Sequence, residues 1–156
     1  DSDFPVMEGC FKMLNKFGVG VKATVASAHR TPDKAMSLAR SAEAEGFKVI
    51  IAAAGLAAHL GGVLAANTAL PVIGVPCKGG ALAGVDALYA TVQMPTGIPV
   101  ATVAIDGGSN AAILACQMLA LSDAELMQKI KDYKASLASS VEARDARLQQ
   151  KIAEMN

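Results

Sequence analysis

The stretch that decides the fold runs from Val49 to Cys77: VIIAAAG up to Gly55, LAAHLGGVLAAN up to Asn67, then TALPVIGVPC. It contains no Asp, Glu, Lys or Arg. Its length would cross a bilayer, which takes about 20 apolar residues. However, Gly55, His59, Gly61, Gly62, Asn67 and Pro71 cut it into pieces of strand and helix size. A buried strand, a loop, a helix and a second strand account for it better. Parallel strands covered on both faces read as continuous apolar runs. The spacing predicts strands over Val49–Ala53 and Pro71–Val75, with a helix over Ala57–Asn67 between them.

The same alternation extends outward. Met7, Cys10, Phe11, Leu14 and Phe17 mark a first helix, ended by Gly18. Val21–Ala26 reads as a strand. Thr31 is an N-cap candidate with Pro32 at the first helical position, and that helix continues to Gly46. Downstream, a helix is predicted near Val85–Gln93, a turn over Met94–Ile98, a strand over Pro99–Ile105 and a helix over Ala111–Ala120. Ser122 is read as the cap of a helix from Ala124 to about Leu137, and a separate amphipathic helix follows over Val141–Met155. Repeated strand–helix alternation implies one α/β domain over residues 1–156, with a parallel sheet and helices on both faces.

Composition narrows the function. The chain of 156 residues is 53% hydrophobic and has a formal net charge of zero. No basic excess points to nucleic acid, and no basic amphipathic stretch points to a membrane surface. With 4% aromatics and no Trp, stacking platforms for single strands are absent. Cys10, Cys77 and Cys116 lie far apart without metal-ligand spacing, so they read as buried apolar residues of a reducing cytoplasm.

In an open α/β sheet, ligands bind beyond the carboxyl ends of the strands. Ser2-Asp3, Ser27–Asp33, Ala54–Leu60 and Lys78–Gly80 map there, with Asp106–Asn110 as a possible fifth segment. The second of these reads Ser27-Ala28-His29-Arg30-Thr31-Pro32-Asp33. An imidazole exchanges protons near neutral pH, and a neighbouring guanidinium holds a phosphate bidentately. Position alone leaves His29 open between acid/base work and a capping role, and Arg30 between an anion site and an ordinary surface arginine. His59, on an Ala-rich helix start, reads first as a structural histidine. Asp3 reads as an N-cap, and Lys78 and Asp86 as solvated. No Walker loop, GxGxxG or Ser/His/Asp arrangement occurs. The pattern therefore points to proton-transfer chemistry on a small phosphorylated substrate.

Taken together, Ser2-Asp3, SAHRTPDK from Ser27, AEAEGFKVIIAAAG from Ala42, AAHL from Ala57, LPVIGVP from Leu70 and VQMPTGIPVATVAI from Val92 resemble one family. It is the phosphoribosylaminoimidazole carboxylase catalytic subunits, which include the N5-carboxyaminoimidazole ribonucleotide mutases of purine biosynthesis. The resemblance runs in order to about Leu121. It implies a flavodoxin-like three-layer fold and a homo-octamer with sites at subunit junctions, whose C-terminal helix (about residues 138–156) packs on a neighbouring subunit. It also implies a cytoplasmic enzyme that uses no metal and no cofactor. In such an enzyme His29 would be the general acid/base. Ser2, Asp3 and Arg30 would hold the ribose phosphate. Ser27, Ala28, Ala54, Gly55, Ala57, His59 and Leu60 would line the imidazole and a dry CO2 pocket.

The chain departs from the family pattern in places. Gly55-Leu56 stands where two glycines are usual, and Gly61 where proline is usual. The family's Gly-Ser pair upstream of Ser2 is not in this sequence. A flavodoxin-like order places its first strand near the sheet centre, so a strand upstream of Asp1 is expected. SAHR, rather than SAHK, together with VQMP favours the mutase branch over direct carboxylation of aminoimidazole ribonucleotide by CO2. Readings from other classes are a flavin- or nucleotide-binding module and a non-catalytic assembly protein.

Overall fold

The computed structural model describes residues 2–155. Its elements are α1 (Phe4–Phe17), α2 (Pro32–Ser41), β1 (Ile50–Gly55), α3 (Leu60–Ala65), β2 (Val72–Cys77), α4 (Val85–Val92), β3 (Ala101–Thr102), α5 (Gly108–Ala120) and α6 (Ala124–Ala153). The strands form one parallel sheet in the order β1-β2-β3. Ile50 pairs with Val72, Gly55 with Cys77, and Ile73 with Ala101.

Alternation along the strands sorts the core into two layers. Ile73 and Val75 of β2 face α5, packing on Ala111 and Ala115. Val72 of β2 and Ala52 of β1 face the other way, onto Ala35 and Ala39 of α2 and Leu64 of α3. Every residue of β2 is buried, which explains its uninterrupted apolar run. Behind α5, Cys10, Leu14 and Phe17 of α1 meet Cys116 and Ala120, and Leu126 and Ile130 of α6 complete that layer. The result is a three-layer α/β/α sandwich.

Several expectations change. Val21–Ala26 is not a strand. Its backbone makes no ladder bonds among the described residues, and a strand without a partner does not form. The strand expected over Pro99–Ile105 shrinks to Ala101–Thr102. Pairing continues past it only through Val103 N–H to the Gly74 carbonyl (3.1 Å) and Asp106 N–H to the Pro76 carbonyl (2.9 Å). The helix expected over Ala57–Asn67 begins only at Leu60 and ends at Ala65. The two C-terminal helices are one continuous helix of 30 residues. Its cap is Asp123, not Ser122: the Asp123 carboxylate accepts from the Leu126 N–H at 2.9 Å. Gly18 does end α1, in the left-handed conformation (φ 75°).

Candidate active site

The chemistry-bearing loops gather at one edge of the sheet. Ser27–Thr31 is a compact turn. The Ser27 carbonyl accepts from the Thr31 N–H (2.9 Å) and from the Thr31 hydroxyl (3.2 Å). The Ser27 hydroxyl accepts from the Arg30 N–H (3.1 Å), and the Thr31 hydroxyl accepts from the Ser27 N–H (2.9 Å). Thr31 therefore locks the turn and makes no side-chain cap on α2, although it occupies the N-cap position. The turn aims His29 and Arg30 outward, and both are exposed. The Arg30 guanidinium has no ion-pair partner among the described residues, which leaves its fork available to an anion.

At the end of β1 the chain bends sharply at Leu56, a non-glycine residue at φ 53°. His59 follows at the start of α3 and meets His29. His29 Nε2 and His59 Nδ1 are 2.9 Å apart, with the ring planes at 78°. His59 is thus exposed in this chain and paired with His29, not buried in the core. One proton lies between the two nitrogens, since two N–H groups facing each other at this distance would repel. A proton taken up or lost at His29 therefore changes the hydrogen bond that His59 makes.

The third wall is the loop after β2. Gly80 (φ +60°) packs against Leu56, and a Cβ there would come within 2.6 Å of Leu56 Cδ2. The left-handed backbone there favours glycine, whereas the exposed Leu56 tip can turn away from a Cβ. Asp106 (φ 57°) anchors the loop by accepting from the Lys78 N–H at 2.8 Å. Behind it lies Cys77. Burial pushes its thiol up to about 12; the Asp3 and then the Asp106 carboxylates add to this, against a backbone hydrogen bond from Ala54. Asp3 occupies the N-cap position of α1 but makes no capping side-chain bond.

The structure thus brings His29 against His59; Ser27, Ala28 and Arg30 flank the first in its turn, Ala57 and Leu60 flank the second, and Ala54 and Gly55 end β1. Asp3 follows the exposed Ser2 before α1. Lys78 and Asp106 were placed at this edge by the sequence, but the bond between them was not foreseen. Its only sequence signal is an Asp-Gly-Gly turn after an apolar run. Asp86, read as solvated, has a buried Oδ1 without a hydrogen-bond partner among the described residues. Among the same residues, no group of three or more His, Cys, Asp or Glu has metal-site geometry.

Residues 1–140 match the AIR carboxylase family. The chain belongs to that family. An N5-carboxyaminoimidazole ribonucleotide mutase of Pyrococcus horikoshii is 50% identical over 150 residues, covering 96% of this chain and 85% of that protein. A phosphoribosylaminoimidazole carboxylase of Saccharomyces cerevisiae is 52% identical over 133 residues, which is 85% of this chain and 23% of that much longer protein. The crystal structure of Treponema denticola PurE superposes with a TM-score of 0.86 at 30% identity, covering 95% of this chain and 92% of that one. This AIR carboxylase family member accordingly has the flavodoxin-like sandwich expected from the resemblance.

Proposed function

We propose that this protein is an N5-carboxyaminoimidazole ribonucleotide mutase of purine biosynthesis. It moves the carboxylate from the exocyclic nitrogen to the ring carbon of the imidazole. The observation that carries the assignment of roles is the 2.9 Å pair of imidazole nitrogens on His29 and His59, beside the unpaired Arg30. Arg30, Ser2 and Asp3 form the phosphate end, with Arg30 supplying the charge and Ser2 the hydroxyl. Asp3 carries the wrong sign for direct contact with phosphate, so it serves the ribose hydroxyls.

Protonated His29 gives its proton to the exocyclic nitrogen as the N–CO2 bond breaks. CO2 then forms a bond with the ring carbon, and neutral His29 removes the proton from that carbon. The proton returns to where it began, so the cycle is balanced. His59 positions the His29 ring and selects the nitrogen that carries the proton. In this reading Ala54, Gly55, Ala57 and Leu60, none of which carries a nucleophilic side chain, line the space that holds CO2.

Replacing His29 with Asn tests this reading. Conversion of the carboxyamino substrate is expected to fall by about 10²–10⁴-fold, while substrate binding by calorimetry stays within a few-fold. Normal turnover by the variant would overturn it. Direct carboxylation is the second reading, favoured by the carboxylase name of the yeast relative. Aminoimidazole ribonucleotide supplied with bicarbonate would then turn over faster than the carboxyamino substrate.

The assembly belongs to the same proposal. From Lys134 to Met155 every residue of α6 and its end is exposed. Leu137, Val141, Leu148, Ile152 and Met155 recur at helical spacing along this unpacked half. That stripe supports a homo-oligomer, an octamer by family resemblance, in which the helix packs on a neighbouring subunit. No helix among the described residues is long and apolar enough to cross a membrane. Three free, buried cysteines suit a reducing cytoplasm.

A further inference from the structure

Among the described residues, three that are not glycine have a left-handed backbone: Leu56 (φ 53°), Ala83 (φ 50°) and Asp106 (φ 57°). All three stand at the same edge of the sheet, on the loops that follow β1, β2 and β3. Sparsely populated backbone of this kind persists where the surrounding structure over-determines it, and it clusters at functional sites. Asp106 is held by the end of β2. Its N–H donates to the Pro76 carbonyl at 2.9 Å, and its carboxylate accepts from the Lys78 N–H at 2.8 Å. The chain leaves the sheet at Asp106, and the side chain supplies the acceptor that a longer β3 would have offered to Lys78.

That bond reaches the histidine pair through main-chain contacts. Gly55 and Cys77 are the last pair of the β1–β2 ladder, and a Cβ on Gly55 would come within 3.3 Å of the Cys77 carbonyl oxygen. Leu56 and Lys78 come next on the two strands, so the Asp106 carboxylate fixes the chain one residue beyond the last pair. The loop that starts at Lys78 closes back on its own beginning. A Cβ on Gly84 would come within 3.1 Å of Lys78 Cα and 2.9 Å of Ile105 Cγ2, beside Asp106. Midway along the loop, Gly80 packs against the Leu56 side chain. From Leu56 the path is short. Its carbonyl accepts from the Ala58 N–H at 2.8 Å, and the Ala57 carbonyl accepts from the His59 N–H at 2.8 Å. His59 Nδ1 then lies 2.9 Å from His29 Nε2.

We infer that Asp106 is a positioning residue for the histidine pair. By holding Lys78 it braces the bend at Leu56, and that bend sets where His59 Nδ1 stands relative to His29 Nε2. Asp106 acts through the hydrogen bond to the main chain, not through its charge. Hydrogen bonds weaken steeply as they bend or lengthen, and a reacting group misplaced by about 1 Å loses about 10²-fold in rate. The inference rests on the mutase reading only for the reaction that the pair performs.

Two substitutions separate the hydrogen bond from the charge and from the backbone. Asp106→Gly removes the acceptor, and glycine suits the left-handed conformation of this exposed position. Asp106→Asn keeps an acceptor oxygen and the conformation but loses the charge. His29 and His59 are the only histidines of the chain, so nitrogen-15 spectra of the imidazoles report the pair directly. At about pH 8.5, above the usual imidazole range, the native protein and Asp106→Asn are expected to show one dominant tautomer in each ring. Asp106→Gly is expected to lose that pattern and give the mixed tautomers of a free imidazole. Its kcat on the carboxyamino substrate is expected to fall about 10–100-fold. KM stays within about twofold, since Arg30 lies on another turn, and asparagine restores kcat. Native imidazole spectra in Asp106→Gly would overturn the inference. So would equal effects of glycine and asparagine, which assign the role to charge, or displaced rings with an unchanged kcat. The spectra need no substrate. A failure of the mutase reading, seen as no conversion by the native protein, is therefore told apart from a failure of the positioning.

Discussion

β2 and residues 20–26 are apolar segments of similar length with opposite fates. β2 is buried at every position, bonded on both edges and covered by helices on both faces. Residues 20–26 have almost no backbone bonds, and Val21 and Val25 are 53% and 66% exposed. Yet the groups proposed for the chemistry follow the loosely held segment. His29 and Arg30 come directly after it, whereas β2 ends in a buried thiol and a loop tied down by Asp106. Among the described residues the groups proposed for the chemistry stand on loops beside β1, not on the buried β2. Loops carry function on a scaffold that elsewhere resists change.

That contrast can be broken or sharpened by substitution. The largest effect is the His29→Asn loss given above, expected from a segment whose removal barely touches the core. Next, Arg30→Ala is expected to raise KM about 10–100-fold with a smaller change in kcat, because a charge-assisted phosphate contact is worth about 1.5–3 kcal/mol. Steady-state kinetics decide, and an unchanged KM would remove Arg30 from the phosphate end. Stability should show the reverse ranking. Val75→Ala, at a site 1% exposed, is expected to cost about 2 kcal/mol in urea unfolding, against less than about 0.5 kcal/mol for Val25→Ala. Equal costs would mean that residues 20–26 are packed in solution.

The smallest effect is electrostatic. The folded state holds the Cys77 thiol up at about 12, while an unfolded chain releases that proton near pH 8.5. Above that pH the folded state binds more protons than the unfolded one, so stability falls as pH rises toward 12. Cys10, raised to about 11 by burial and then by Cys116, acts in the same direction. Calorimetry between pH 7 and 10.5 should show a falling Tm, with a shallower decline in Cys77→Ala. An identical slope in the variant would show that Cys77 contributes nothing to it.

Much of this was legible in the residues. The uncharged run from Val49 to Cys77 revealed two covered strands because burial on both faces removes the need for polar residues. The Gly18 stop and the Pro32 start were readable because each reflects a local backbone preference. Ser27–Asp33 stood out as a candidate loop from His29 and Arg30, and its proposed role as the reacting loop came from the family resemblance. His59 did not stand out, since its Ala-rich neighbourhood resembles any buried helix start and its partner is 30 residues away. The continuity of α6 through Leu137–Val141 was also missed, because two adjacent serines weaken a helix without ending it.

The sequence by itself determined most of the helices, the strand–helix–strand of the uncharged run and the family, since each is written in spacing and side-chain chemistry within short windows. Only the tertiary structure decided which apolar segments become strands. Val21–Ala26 and β2 were both read as strands, but a ladder needs a partner on its edge, and among the described residues only the second has one. Tertiary structure also decided that His29 meets His59. A 2.9 Å contact between two loops depends on where β1 lies relative to residues 20–26, and no local window of the chain encodes that distance.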